Sequence, residues 1–384
     1  MYKTKLFMFG YFLPSWVSAL LMWGDDRTSA LFAPAPAWFN YFKFPVQIVS
    51  IMVLFVPFKQ RARPLSSGVL LAVALLVSIV FARPTLEAEF ILISSSAQIA
   101  ILAIFLCFAQ PTATLEDSDL KFLFNLFLFG FLLQFALYFG FHRLPSHSIE
   151  DVFLRFNGIT NDSLSVGLLI PVLIPWAIRG KMGELKLMVL LTEAVASGSL
   201  FAIIFTALAS FGYLLYLKMY RFVVLILLAV TAVGIYYYNL VAILLGIKLL
   251  SILTHLRFFL DLGGVQLDQP TASCSEEFCE SFIEAGGQLN PLYLVLFLGL
   301  LFYFIMQLFG SKRRTLEPSI VLDSLRIFGV TLSVASFVHP IPLIPFAVPM
   351  FLIFTSLYTG KRRSLRPAAR VAAKAPAALR PQTP

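Results

Sequence analysis

The feature that most constrains this chain is its repetition of apolar runs, each about one bilayer thick, separated by short polar connectors. A helix needs about 20 apolar residues to cross the hydrocarbon core. By that rule there are roughly twelve spans, near residues 5–23, 38–58, 66–82, 90–108, 120–141, 163–178, 184–198, 199–217, 221–245, 291–309, 319–337 and 341–358. The seventh and eighth share one unbroken apolar run, interrupted only by Ser197-Gly-Ser199. Charged residues make up 13% of the chain, about half the share usual in soluble domains, and phenylalanine occurs 40 times. The expected fold class is therefore all-α: a polytopic integral membrane protein with about twelve transmembrane helices. The first run follows Met1-Tyr-Lys-Thr-Lys5 directly, with no small-residue cleavage site after it, and reads as a retained first span.

A net charge of +9 would point towards nucleic acid in a soluble protein. Here the basic residues fall in connectors and the tail, where they set topology instead, and no nucleic-acid partner is expected. With Met1 inside, the inner connectors are Lys59–Arg63, Arg179–Lys186, Lys218–Arg221 and Ser311–Arg314, and the tail from Lys361 is also inside. These segments hold most of the Lys and Arg. One inner connector, Gln110 to Lys121, carries Glu116, Asp117 and Asp119 instead, but acidic residues count little in that rule. An even number of spans leaves both termini in the cytoplasm. Residues 1–360 form the expected membrane domain, with a long outer loop near 246–290. Residues 361–384, rich in Ala, Pro and Arg, read as a disordered basic cytoplasmic tail.

Polar groups stranded between such runs are the candidates for chemistry. Arg155-Phe-Asn-Gly158, continuing through Asn161-Asp-Ser163, puts an arginine in an outer loop, against the positive-inside bias. Arg257 does the same in the long loop. A guanidinium fork matches phosphate oxygens and stays charged at any working pH, so Arg155 and Arg257 are candidate diphosphate ligands. Either is also placed to snorkel to the headgroups. Asn157, Asn161 and Asp162 are candidate substrate ligands, and Asn161-Asp-Ser163 also suits the N-cap of the next span. Glu193 lies within an apolar run, where a carboxylate must face protein or water. It is a candidate for catalysis and equally for a structural ion pair. Asp323 and Arg326 are spaced to neutralise each other along one helix. His255, two residues before Arg257, is the histidine nominated for proton transfer. The four histidines have no zinc-type spacing, and neither metal nor cofactor is expected. Cys274 and Cys279 lie in the outer loop, where an oxidising compartment permits a disulfide.

Three of these segments resemble the O-antigen polymerase and ligase superfamily, membrane enzymes that build bacterial surface polysaccharide from polyprenyl-diphosphate-linked sugars. They are Arg155-Phe-Asn-Gly158 with Asn161-Asp-Ser163 and Gly167, the outer turn Ser197-Gly-Ser199, and the late loop ending in Glu280-Ser-Phe-Ile-Glu-Ala-Gly-Gly287 before Pro291. The resemblance implies a GT-C-like helical fold in the bacterial inner membrane. It also implies metal-independent inverting glycosyl transfer at the outer face, joining lipid-linked repeat units into O-antigen or exopolysaccharide. Arg155 and Arg257 would hold the diphosphate, and Ser197 and Ser199 would line the substrate site. Glu280, His255 or Glu193 would serve as base, in that order. Membrane lipid, a chain-length regulator and a flippase are the implied partners. Two features depart from the family: Leu200-Phe201 follow the serine turn where relatives often carry an arginine, and Glu280 stands where ligases carry a histidine. The second favours a polymerase over a ligase; a lipid-linked oligosaccharide flippase is the other alternative. The flippase expectation of a duplicated six-span half is not met by any internal repeat.

Overall fold

The computed structural model describes residues 2–21, 37–61, 64–81, 87–141, 156, 158–160, 163–220, 291–309, 319–336 and 347–374, with isolated residues between 223 and 235. These residues are mostly helical, in keeping with the all-α expectation. In chain order the helices are α1 (Tyr2–Leu21), α2 (Ala37–Val53), α3 (Ser66–Phe81), α4 (Glu87–Phe108), α5 (Asp117–Phe141), α6 (Ser163–Arg179), α7 (Gly183–Ala196), α8 (Leu200–Tyr216), α9 (Pro291–Phe309), α10 (Ile320–Ser336) and α11 (Ala347–Lys374). By length and composition one of them, over Asp117–Gly140, is long and apolar enough to cross a membrane; Ser66–Ile79, Ser165–Arg179 and Val295–Phe309 are among the shorter apolar stretches. Helical backbone also runs past Lys361 to Lys374, where the composition suggested disorder. The physical reason is local: the segment extends a formed helix, so no new nucleus is needed, and Ala and Arg are strong helix formers.

The helices bury one continuous apolar cluster in which Phe127, Phe131, Phe304, Phe328, Phe351 and Phe354 are almost wholly enclosed. Edge-to-face contact between Phe328 and Phe351, with ring centroids 5.5 Å apart, joins α10 to α11. α6 and α8 approach closely at Gly167, where an added Cβ would stand 2.7 Å from the Ala202 Cα. Small residues on both helices let the backbones meet there.

The connectors after α2 and α4 lie side by side. Lys59 and Gln60 (β1) pair antiparallel with Gln110 and Ala109 (β2). Arg61, buried in this junction, donates from Nε to the Ala109 carbonyl at 2.8 Å and from Nη2 to Ser356 Oγ of α11 at 2.7 Å. The start of α1 joins them: Lys3 Nζ donates to the Val56 carbonyl and to Thr112 Oγ1, and Thr4 Oγ1 donates to the Thr114 carbonyl at 3.3 Å. The acidic residues that stood out in this connector have a local role. Asp119 accepts the Glu116 N–H at 2.9 Å, the side-chain half of a capping box, and Asp117 and Asp119 occupy the first turn of α5, where the helix dipole favours negative charge. Asp117-Ser-Asp119 is also an Asp-x-Asp triplet, of which Asp119 Oδ2 takes the cap while Oδ1 is buried without a hydrogen-bond partner among the described residues.

Candidate functional site

The site is built where the segment before α6 meets the end of α7. Phe156 N–H donates to the Ala196 carbonyl at 3.0 Å, which ties the arginine-bearing stretch to the last turn of α7. On its other side the segment is seated on α5. The Phe156 ring packs against Phe135, centroids 4.3 Å apart, and edge-on to Tyr138 at 5.9 Å. Gly158 adopts φ +60°, and its N–H donates to Gln134 Oε1 at 2.9 Å. A Cβ on Gly158 would lie 2.7 Å from the Phe131 ring, and one on Gly130 would lie 2.7 Å from Ile159. Two glycines thus let the segment lie flat on α5, and the left-handed φ at Gly158 is one that glycine adopts without strain.

The turn that separates α7 from α8 breaks the long apolar run at Gly198, φ +59°. Ser197 is buried, and its Oγ donates to the Ala194 carbonyl at 2.7 Å. Ser199 is the N-cap of α8 and accepts the Ala202 N–H at 3.4 Å, while its own N–H donates to Ser197 Oγ, also at 3.4 Å. Both hydroxyls therefore serve the turn itself. Serines at such a break are what an N-cap requires.

Glu193 lies one turn before Ala196, on the same helix end. It is 3% exposed, and neither carboxylate oxygen has a hydrogen-bond partner among the described residues. Native structures leave few buried polar atoms in that state. Arg155, Asn157, Asn161, Asp162, His255, Arg257, Cys274, Cys279 and Glu280 lie outside the described residues.

Three segments singled out in the sequence thus adjoin among the described residues: Phe156 with Gly158–Thr160, the Ser197–Ser199 turn and the helix end that carries Glu193. The structure adds Gln134, which the sequence reading had passed over. The signal was present, since Gln134 and Asn125 are the two amides within the otherwise apolar run Phe122–Phe141.

A second polar cluster lies at the opposite end of α6. Arg179 Nη2 meets Asp323 Oδ2 at 3.0 Å, Tyr213 O–H donates to the same oxygen at 3.1 Å, and Arg326 Nη1 lies 3.8 Å from Asp323 Oδ1. The Arg179 guanidinium also stacks over the Tyr213 ring, and Arg326 stacks over Phe309. The helical spacing of Asp323 and Arg326 gave their pair; Arg179, read as a topological charge, turns out to be the nearer partner. Among the described residues no three His, Cys, Asp or Glu side chains converge to hold a metal ion. Compared with models of known families, with curated proteins and with solved structures, the chain matches none, so the reading of the site rests on its own residues.

Proposed function

We propose that the chain is a polytopic membrane glycosyltransferase that polymerises polyprenyl-diphosphate-linked repeat units at the outer face of the bacterial inner membrane. One observation carries this reading: the Phe156–Ala196 hydrogen bond joins the arginine-bearing segment to a helix end that holds a buried, unpartnered carboxylate. The membrane setting is supported by faces that are apolar on both sides. On α5, Phe127 and Phe131 are buried, while Phe129, Leu132 and Phe139 are 54%, 55% and 71% exposed. Apolar side chains all round a helix suit a lipid-facing span. The alternating path is supported as well. The connectors after α2 and α4, assigned to one side by the span count, pair as β1 and β2. Arg179, Tyr213 and Asp323, near ends of α6, α8 and α10 assigned to that same side, converge in one cluster.

The chemistry asks for little beyond charge. An acceptor hydroxyl attacks the anomeric carbon from the face opposite the diphosphate. The bond from carbon to the diphosphate oxygen breaks, and its electron pair leaves on that oxygen. Diphosphate is a good leaving group, so stabilising its developing charge is the main demand, and Arg155 and Arg257 meet it. A base takes the hydroxyl proton, and Glu280 is its first candidate.

The test is the glycan ladder of a deletion strain. Single repeat units still attached to the acceptor, with long chains lost and restored by the wild-type gene, is the expected pattern. Long lipid-linked polymer accumulating untransferred would overturn the polymerase reading in favour of a ligase, and single lipid-linked units held on the cytoplasmic face would favour a flippase. Arg155→Lys and Arg257→Lys should each lose most activity while the protein stays in the membrane, because lysine keeps the charge and loses the planar fork. Reporter fusions after Gly158 should read outside, and those after Lys181, Lys218 and Arg314 inside.

A further inference from the structure

A positive patch is built where the start of α5, the end of α6 and the start of α7 meet. Trp176 is at its centre. The indole is largely buried, and Phe124 of α5 packs on it with ring centroids 5.2 Å apart. Lys186 of α7 brings its ammonium to 4.2 Å from the ring centroid, a cation–π contact. An added Cβ on Gly180 would stand 2.8 Å from that nitrogen, so the glycine after α6 leaves the ammonium its room. Lys121 is three residues before Phe124 in α5, and residues three apart are neighbours on a helix surface. Both lysines thus come to one indole, and Lys121 is near enough to repel Lys186.

Two like charges drawn together call for an anion between them. The nearby acids do not supply it. Asp117 is one turn before Lys121 and Glu184 is in the first turn of α7, yet among the described residues neither lysine is ion-paired. Arg179 and Arg326 differ in this respect, since they share Asp323. The surroundings indicate which anion fits. Leu185 and Met188, beside Lys186 in α7, are exposed, and so are Phe129 and Leu132 further along α5. The cations therefore stand at the rim of an exposed apolar face, with an indole at the border, which is the arrangement of a membrane interface. We infer that Lys121 and Lys186 hold the phosphodiester of an anionic phospholipid of the inner leaflet. Its acyl chains then lie against the exposed apolar residues of α5 and α7. The inference rests on the membrane setting and the sidedness given under the proposed function, and is independent of the polymerase chemistry.

Lipid binding to the full chain in detergent tests the inference. Native mass spectrometry follows a titration with phosphatidylglycerol in the presence of excess phosphatidylcholine. The wild-type chain should take up phosphatidylglycerol in preference. Lys121→Gln and Lys186→Gln should each weaken its apparent affinity about fivefold, and the double variant about twenty-fivefold, as the loss of single charges beside a headgroup predicts. Lys59→Gln, at an exposed lysine of β1 assigned to the same side, should leave the affinity unchanged. An equal loss in that variant would mean a diffuse positive surface and would overturn the site. An undiminished lipid preference in the double variant would overturn it as well, whatever the thermal midpoint does, and would leave Lys186 as a structural neighbour of Trp176. Inorganic phosphate displacing the lipid at equal concentration would overturn the lipid assignment in favour of a soluble phosphate. Should Lys186→Gln fail to accumulate, Lys121→Gln decides the question alone, since that side chain is exposed. Failure of the polymerase reading would show in the glycan ladder and leave these affinities untouched, whereas a reporter fusion after Lys181 that reads outside would overturn the inner-leaflet assignment.

Discussion

Two carboxylates within helices, Asp323 and Glu193, make a useful comparison. Asp323 is met by everything a carboxylate accepts: one guanidinium at 3.0 Å, another at 3.8 Å and a phenol at 3.1 Å. Glu193, at the other end of the same group of helices, is more deeply buried and has no partner among the described residues. The first arrangement is complete within α6, α8 and α10 and ties three helix ends together, which is what a structural ion cluster does. The second is incomplete within the described helices and lies one turn before Ala196, which accepts the Phe156 N–H. A carboxylate satisfied by its own scaffold is there for stability. One that the described scaffold leaves open, at a helix end that meets a connecting segment, is the better candidate for function, since binding and catalytic residues concentrate on such segments.

The largest effect expected from breaking this contrast lies at the segment between them. Gly158→Ala forces a side chain into the left-handed region and into the Phe131 ring at once. The backbone term is about 1–2 kcal/mol and the overpacking term of similar size, so a loss of roughly 3 kcal/mol is expected. A thermal midpoint in detergent checks it, and polymer yield should fall with the folded fraction. A midpoint within a degree of wild type would mean that the segment does not rest on α5 as described.

Next in size is the exchange of the two acids. Asp323→Asn leaves Arg179 and Arg326 facing each other without a carboxylate. Because these side chains are partly exposed, the cost is about 2 kcal/mol, less than for a fully buried pair. Glu193→Gln should cost about 1 kcal/mol or less, since no described ion pair is lost and an amide is cheaper to bury than an unpaired carboxylate. Activity should reverse the order: Glu193→Gln loses most of it, while Asp323→Asn retains activity in proportion to the protein that folds. Specific activity per folded molecule separates the two. Equal losses in both variants would erase the distinction between a structural and a functional carboxylate.

The helices were readable in the sequence because apolar length is a strong one-dimensional signal. The runs read at 66–82, 163–178 and 291–309 became helices Ser66–Phe81, Ser163–Arg179 and Pro291–Phe309. Even the weakest division, within the run shared by α7 and α8, fell at the serine–glycine turn, since a glycine with positive φ and a serine N-cap both announce a break. What could not be read was which connectors touch. Arg61 looked like one more topological charge, yet it bridges β2 and α11 through partners 48 and 295 residues away. Arg179 likewise appeared to belong to its connector and instead meets Asp323. The polar segment Phe156–Thr160 was legible as a site candidate from its composition, but its support by Gly130, Phe131 and Gln134 depends on how α5 is rotated. No apolar period announces that rotation when a helix is apolar all round.

The smallest expected effect sharpens the comparison at the serine turn, where structural and substrate-binding roles predict different sizes. Ser199 accepts the Ala202 N–H at a long 3.4 Å, and Ser197 spends its hydroxyl on the Ala194 carbonyl within a fully buried position. Loss of an N-cap costs about 1 kcal/mol on average, and a contact this long belongs near the lower end, about 0.5 kcal/mol. Ser199→Ala should therefore shift the midpoint slightly and leave polymer yield nearly intact, and Ser199→Asp, a better cap, should recover the midpoint. A direct hydrogen bond to a sugar hydroxyl would behave differently. Its removal would lower yield by roughly tenfold without any matching change in the midpoint, and aspartate would not restore it. Measuring both quantities on both variants decides whether the turn only starts α8 or also reads the glycan. The hydrogen bonds within the turn favour the first.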